Sequence, residues 1–211
     1  MQRNEIDARR AATDGMGQAA WDERYRTAEF IWSLAPNRFV AEQLAGLAPG
    51  RALDLACGEG RNALWLASRG WQVTAVDFSG VALDKGRERA AKSGLELDWV
   101  AADLTAYVPE AGGFDLVVIA YLHLFQHDLD TVLRRAAGAL AAGGMLFIVG
   151  HDATNPAEGV GGPQDLRVLY TPEAVTAPLA ALRIERAERV ARHVDGAARP
   201  AIDTLVVATR A

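Results

Sequence analysis

Residues 51–79 constrain the fold of this chain more than any other stretch: RALDLACGEGRNALWLASRGWQVTAVDFS. An apolar run ends in a carboxylate at Asp54, a glycine turn follows at Gly58-Glu59-Gly60, and the next run carries Leu64, Leu66 and Ala67 on one side. A second apolar run ends at another carboxylate, Asp77. Strand, tight loop, helix and strand make one βαβ unit. Gly58 and Gly60 carry no Cβ, so the backbone can approach a ligand closely there. The helix starting beside them adds unpaired N–H groups facing the same spot. Asp77 follows the glycines by about 20 residues, where a carboxylate can accept from ribose hydroxyls. The stretch reads as a nucleoside-binding half-fold.

The alternation continues downstream. Ser79 is placed to cap a helix reaching about residue 93, with Gly94 just past its end. Strands are expected over 97–101, 114–120 and 145–149, with a helix over 130–140 and a turn at Gly143-Gly144. The 114–120 run is almost wholly apolar, as a strand buried on both faces should be. Residues 183–193 and 201–209 flank Asp195-Gly196 and read as an antiparallel hairpin. The fold class is α/β: a doubly wound, mostly parallel seven-stranded sheet with a C-terminal antiparallel hairpin. Residues 152–170 are rich in glycine and proline, and a loop of that length inside a domain is usually functional or disordered. Thr171-Pro172 then makes a helix start.

Ahead of the first strand, residues 1–20 are polar and read as a flexible N-terminal arm, leaving 21–211 as the folded domain. Trp21 and Tyr25 share a helix face, and Trp32 follows closely. These aromatics either pack permanently on the core or fold over the ligand cleft as a lid. After Pro36-Asn37 a short helix is expected over 38–47.

With 211 residues the chain fits one domain. Its net charge of -5, with no basic run, argues against nucleic acid as a partner. Cys57 stands alone, which excludes an internal disulfide and any cysteine-based zinc pattern; no metal is expected. No apolar stretch is long enough for a membrane span and the polar start is no signal peptide, so no membrane partner is expected and the compartment is read as cytoplasmic.

Two cofactor classes could use the glycine loop. Gly58-x-Gly60-x-x-Ala63 satisfies the dinucleotide pattern, so an NAD(P)-dependent oxidoreductase is the alternative reading. No tyrosine is followed four positions later by lysine, however, so the short-chain dehydrogenase pair is missing. Asp54 weighs on the choice. A carboxylate there would repel a pyrophosphate in a poorly solvated site, whereas it suits a cationic sulfonium ligand carrying an ammonium group.

These residues carry a resemblance. From about residue 21 to 210 the sequence resembles the class I S-adenosylmethionine-dependent methyltransferases. Leu53-Asp54-Leu55-Ala56-Cys57-Gly58-Glu59-Gly60 is similar to their first motif and Val76-Asp77-Phe78-Ser79 to the ribose-binding one. Ala102-Asp103-Leu104 is similar to the adenine-binding motif and Phe114-Asp115-Leu116-Val117 to the fourth-strand motif. The small size and tryptophan-containing N-terminus are similar to the tellurite-resistance and thiopurine methyltransferase-like branch. The resemblance implies a Rossmann-like methyltransferase fold and methyl transfer to a small-molecule acceptor; a non-catalytic cofactor-binding module is the other possibility. It implies cofactor contacts from Asp54, Ala56, Gly58, Gly60, Asn62, Asp77, Phe78, Ser79, Asp103, Leu104 and Ala120, with Trp21, Tyr25 and Trp32 closing over them. The family often has glycine at the position of Ala56; alanine permits the tight loop if its φ is negative.

His123 and His151 follow the fourth and fifth strands, at the carboxyl ends where α/β sheets bind ligands. Either is a candidate general base or substrate orienter. Cys57 lies in the cofactor loop and reads as a packing residue. Tyr121-Leu122-His123-Leu124 stands where nucleic-acid base methyltransferases carry a proline-rich motif, so an acceptor of that class is disfavoured. Thiol, metalloid oxyanion, phenol and amine acceptors all remain open.

Overall fold

The computed structural model describes residues 17–27, 30, 31 and 34–211. Most of the expected arm and Trp32 therefore lie outside the described residues. Helix α1 (Gln18–Thr27) begins inside the stretch expected to be arm, and α2 (Arg38–Leu44) follows, capped by Asn37. Then come β1 (Arg51–Leu55), α3 (Arg61–Ser68), β2 (Gln72–Asp77), α4 (Gly80–Lys92) and β3 (Asp98–Ala101). The second half holds β4 (Phe114–Ala120), α5 (Gln126–Ala139), β5 (Leu140–His151), the short α6 (Asn155–Glu158) and α7 (Pro172–Thr176), and finally β6 (Arg183–Arg192) and β7 (Ala201–Thr209).

The seven strands form one sheet in the order β3-β2-β1-β4-β5-β7-β6. The first five are parallel; β7 runs antiparallel to both β5 and β6. Successive strand residues point to opposite faces. Thus Leu53, Val117, Ile119, Leu146 and Ile148 pack with Leu129, Leu133 and Ala136 of α5. Ala52, Leu116, Val118, Phe147 and Val149 instead meet Val40 and Leu44 of α2, Ala63 and Leu66 of α3 and Leu83 of α4. Helices on both faces explain why β4 reads as an unbroken apolar run. Strand order reverses between β1 and β4, so a crevice opens beyond their carboxyl ends. Asp54 lies on β1, and Ala120 ends β4, at this crevice.

Two element starts differ most from the sequence expectation. Helix α5 starts at Gln126 rather than 130, because its N-cap is Phe125, which offers no capping side chain. Strand β5 starts at Leu140, but residues 141–144 bulge out of its pairing with β4, which passes from Phe114–Leu140 to Leu116–Met145, and Gly143 at a φ of 75° makes the expected turn into the regular part of the strand. The Gly143 N–H donates to the Arg210 carbonyl and the Arg210 N–H to the Gly144 carbonyl, both at 2.9 Å. Pairing with Arg210, far off in sequence, ties this bulge to the end of the chain.

Candidate cofactor and acceptor site

The loop after β1 is folded by its own backbone and by Asp77. Gly58 and Gly60 have φ of 54° and 76°, the left-handed region where a side chain is strained. A Cβ on Gly58 would lie 2.8 Å from the Tyr25 hydroxyl oxygen, so α1 sits directly on the loop. A Cβ on Gly60 would lie 2.5 Å from the Trp99 ring. The room left at Gly60 is taken by the chain's own tryptophan rather than by a ligand. Ala56 has φ of 61°, a correction to the expectation of a negative angle; this alanine stands in a strained conformation of the kind that concentrates at functional sites.

Asp54 is 1% exposed, and neither of its carboxylate oxygens has a hydrogen-bond partner. Burial, helped by the Asp77 charge, raises its pKa to about 7; the nearby Ala63 N–H and Arg61 act the other way and lose. A buried carboxylate without a hydrogen-bond partner, at the mouth of a glycine loop, favours a cationic group beside it. The ammonium of an amino-acid-bearing cofactor fits that need.

Asp77 is tied into the loop. It accepts from the Gly58 N–H at 2.8 Å and from the Ser79 N–H at 2.9 Å. Burial raises its pKa against the pull of those two donors. Each oxygen keeps further lone-pair capacity for a ribose hydroxyl. Ser79 itself caps α4 and donates to Asp22 at 2.5 Å, while Gln18 donates to the Phe78 carbonyl at 2.8 Å. Both contacts draw α1 over the second expected cofactor motif. Asn62 accepts from the Asn37 N–H at 2.8 Å and so anchors the start of α2. Asp103 accepts from the Thr105 N–H and hydroxyl at 3.0 and 2.9 Å, a turn-capping arrangement, and Leu104 packs into the core. Of the residues expected at the cofactor, Asp54, Gly58 and Asp77 converge on one loop with Tyr25 above it. Trp21 stacks on Tyr25 with ring centroids 5.6 Å apart.

His123 and His151 are brought together, their rings nearly parallel at 5.4 Å. The environments of the two differ. His123 Nδ1 lies 3.0 Å from the Val168 carbonyl, which can only accept, so Nδ1 carries the proton and Nε2 is a bare, buried lone pair. Burial lowers the His123 pKa to about 4, so that ring is neutral at physiological pH. His151 Nδ1 lies 3.2 Å from Asp203 Oδ1, an ion-pair separation whose angle is too poor for a hydrogen bond. Asp203 is fully buried; its other oxygen accepts from the Tyr121 hydroxyl at 2.8 Å and from Arg192 at 2.7 Å. Burial pushes its pKa up, but His151 and Arg192 together hold it below the ordinary value.

Sequence reasoning missed Asp203, Tyr121 and Arg192. The available signal was the charge of Asp203 inside the apolar run of residues 201–209. Its register partner His151 is set by the β5–β7 pairing and was not readable locally. Tyr121, at a φ of 61°, directly follows Ala120, and Asn37 donates to its hydroxyl at 3.4 Å. Asn37 bonds both Asn62, in the helix that follows the glycine loop, and Tyr121, and so links the loop to the histidine cluster. Among the described residues no group of three or more His, Cys, Asp or Glu side chains is arranged to hold a metal.

Residues 52–144 match the methyltransferase domain family. The ribosomal RNA small subunit methyltransferase C of Alcanivorax borkumensis is 35% identical over 108 residues, 49% of this chain and 33% of its own length. The ubiquinone biosynthesis O-methyltransferase of Methylocella silvestris is 36% identical over 119 residues, 56% of this chain and 44% of its own. The matched stretches thus span less than half of either relative. Among solved structures, the N-methyltransferase NodS of Bradyrhizobium japonicum, in complex with S-adenosyl-L-homocysteine, superposes with a TM-score of 0.66 at 21% identity. That superposition covers 90% of this chain and 96% of NodS.

Proposed function

We infer that this chain, which carries a class I S-adenosylmethionine-dependent methyltransferase domain, binds S-adenosylmethionine and methylates a small-molecule acceptor. The observation that carries this reading is Asp54: a carboxylate kept dry and unpartnered at the switch point of the sheet. An oxidoreductase binding a dinucleotide pyrophosphate there would set two negative groups together in a low-dielectric site. Asp54 would hold the cofactor's ammonium and Asp77 its ribose. When bound, the cofactor supplies an electrophilic sulfonium methyl group. The chain's part is to hold the acceptor in line and exclude water, work in which proximity supplies much of the rate. Net charge of -5 supports a small molecule over RNA, and the Methylocella silvestris relative is named for ubiquinone biosynthesis. No described helix is long and apolar enough to cross a membrane; a cytoplasmic location belongs to the same proposal.

Calorimetric titration with S-adenosylhomocysteine and, separately, with NAD tests the reading. Binding of the former alone is expected. Binding of NAD alone would replace methyl transfer with the oxidoreductase reading.

A further inference from the structure

The two histidines sit in deliberately unlike surroundings, and groups whose environments are driven apart take different roles. His123 is fixed in one tautomer by the Val168 carbonyl and buried so that it stays neutral. His151 retains partial exposure, with its side chain 13% accessible, and it faces the buried Asp203 carboxylate with Nδ1. Its Nε2 has no protein partner among the described residues, while Gly162 lies so close over that ring that a Cβ would come within 2.7 Å of it. Asp203 is held from the other side by Tyr121 and Arg192. A carboxylate held 3.2 Å behind an imidazole stabilises, by its charge, the imidazolium formed when the far nitrogen takes a proton.

We propose that His151 and Asp203 form a proton-accepting dyad and that the acceptor is a hydroxyl compound of the phenol or enol class. The proposal rests on the methyl-transfer reading and deepens it. His151 Nε2 is the catalytic base and Asp203 a positioning residue. The acceptor's O–H bond breaks and its proton passes to Nε2. The freed oxygen lone pair takes the methyl group, and the electron pair of the broken carbon–sulfur bond stays on sulfur. The imidazolium then returns its proton to water. Charges facing His151 are few: Asp203 from β7, Arg192 from β6 through that carboxylate, and neutral Tyr121 and His123 from the segment after β4. A thiol, largely ionised by itself when its pKa is low, would need none of this.

The test uses 4-nitrophenol, whose ionised form absorbs at longer wavelength, bound to the full chain saturated with S-adenosylhomocysteine. In the wild type the bound phenol is expected to ionise at a pH at least one unit below its free value, a tenfold shift in the equilibrium. His151→Gln should restore the free value. Asp203→Asn should restore most of it while circular dichroism stays native. A purely structural role for Asp203 would lower the melting temperature without moving the ionisation midpoint. Three outcomes overturn the proposal: no nitrophenol binding to the saturated protein, an unshifted midpoint, or a shift that survives His151→Gln. Methylation of 4-nitrophenol by S-adenosylmethionine at a rate indifferent to both substitutions also overturns it. S-adenosylhomocysteine affinity, measured first in each variant, separates the cases: its absence in the wild type sinks the cofactor reading rather than the dyad.

Discussion

At the scale of residues, Asp54 ties function to a stability cost. Its folded pKa, about 7, lies above the ordinary 3.8. Between those values the folded chain binds more protons than the unfolded one, so Asp54 subtracts stability as pH rises through that window. Asp54→Asn is therefore expected to stabilise the empty protein at pH 8, by on the order of 1–3 kcal/mol, and to change its melting little at pH 5. The same variant should lose S-adenosylhomocysteine affinity. For the wild type, affinity should fall roughly tenfold per pH unit below 7, as a proton displaces the ammonium. A melting difference that is equal at both pH values would remove the argument. Asp77 behaves otherwise. On sequence alone Asp77→Ala is expected to weaken cofactor binding by about 1–3 kcal/mol and leave the empty protein unchanged. With the Gly58 and Ser79 N–H groups bonded to it, removal orphans two buried donors. The empty protein should then also lose about 1–3 kcal/mol in chemical denaturation.

Among the elements, α1 is the one whose role the sequence left open. Tyr25 is 5% exposed, its hydroxyl rests over Gly58, and Lys85 of α4 donates to its carbonyl. Lys85 also pairs with the buried Glu59 at 3.3 Å, and Glu59 accepts from the Ile31 N–H at 3.1 Å. These contacts favour a docked helix over a loose cover. Tyr25→Ala should accordingly lower the stability of the empty protein by about 3 kcal/mol. A lid that closes only on ligand predicts unchanged melting without ligand, together with cleavage near Ala20 that S-adenosylhomocysteine slows. Differential scanning fluorimetry and limited proteolysis on the same preparations distinguish the two.

For the whole molecule, the C-terminal hairpin is no appendage. Strand β7 is internal, between β5 and β6, and contributes Leu205, Val206 and Val207 to both faces of the core. Deletion of residues 201–211 is expected to abolish cooperative unfolding, since it removes an internal strand and leaves β5 with an open edge. A sharp thermal transition in the truncated chain would show that the parallel half folds without it. The same strand delivers Asp203 to His151, so the proposed dyad depends on β7.

The sequence by itself determined the βαβ unit, the alternation of strands and helices, the burial of β4 and the carboxylates at the strand ends. Each is a local pattern: an apolar period, a glycine, a cap such as Ser79 or Thr171. Asp54 and the Gly58 turn were legible because the chemistry of a cation and of a close backbone approach is written in adjacent residues. What tertiary structure decided were the partners. Whether Asp77 faced solvent or the Gly58 N–H, whether Trp99 or a ligand filled the space at Gly60, and which histidine met Asp203 all depend on contacts between residues distant in sequence. Ala56 shows the limit most plainly. Its φ of 61° stands next to two backbone donors, the Cys57 and Gly58 N–H groups, that bond to the Val76 carbonyl and Asp77 at the end of β2. Residue types specify which interactions are possible; strand register and burial select among them, because a buried polar group must find a partner wherever the fold places one.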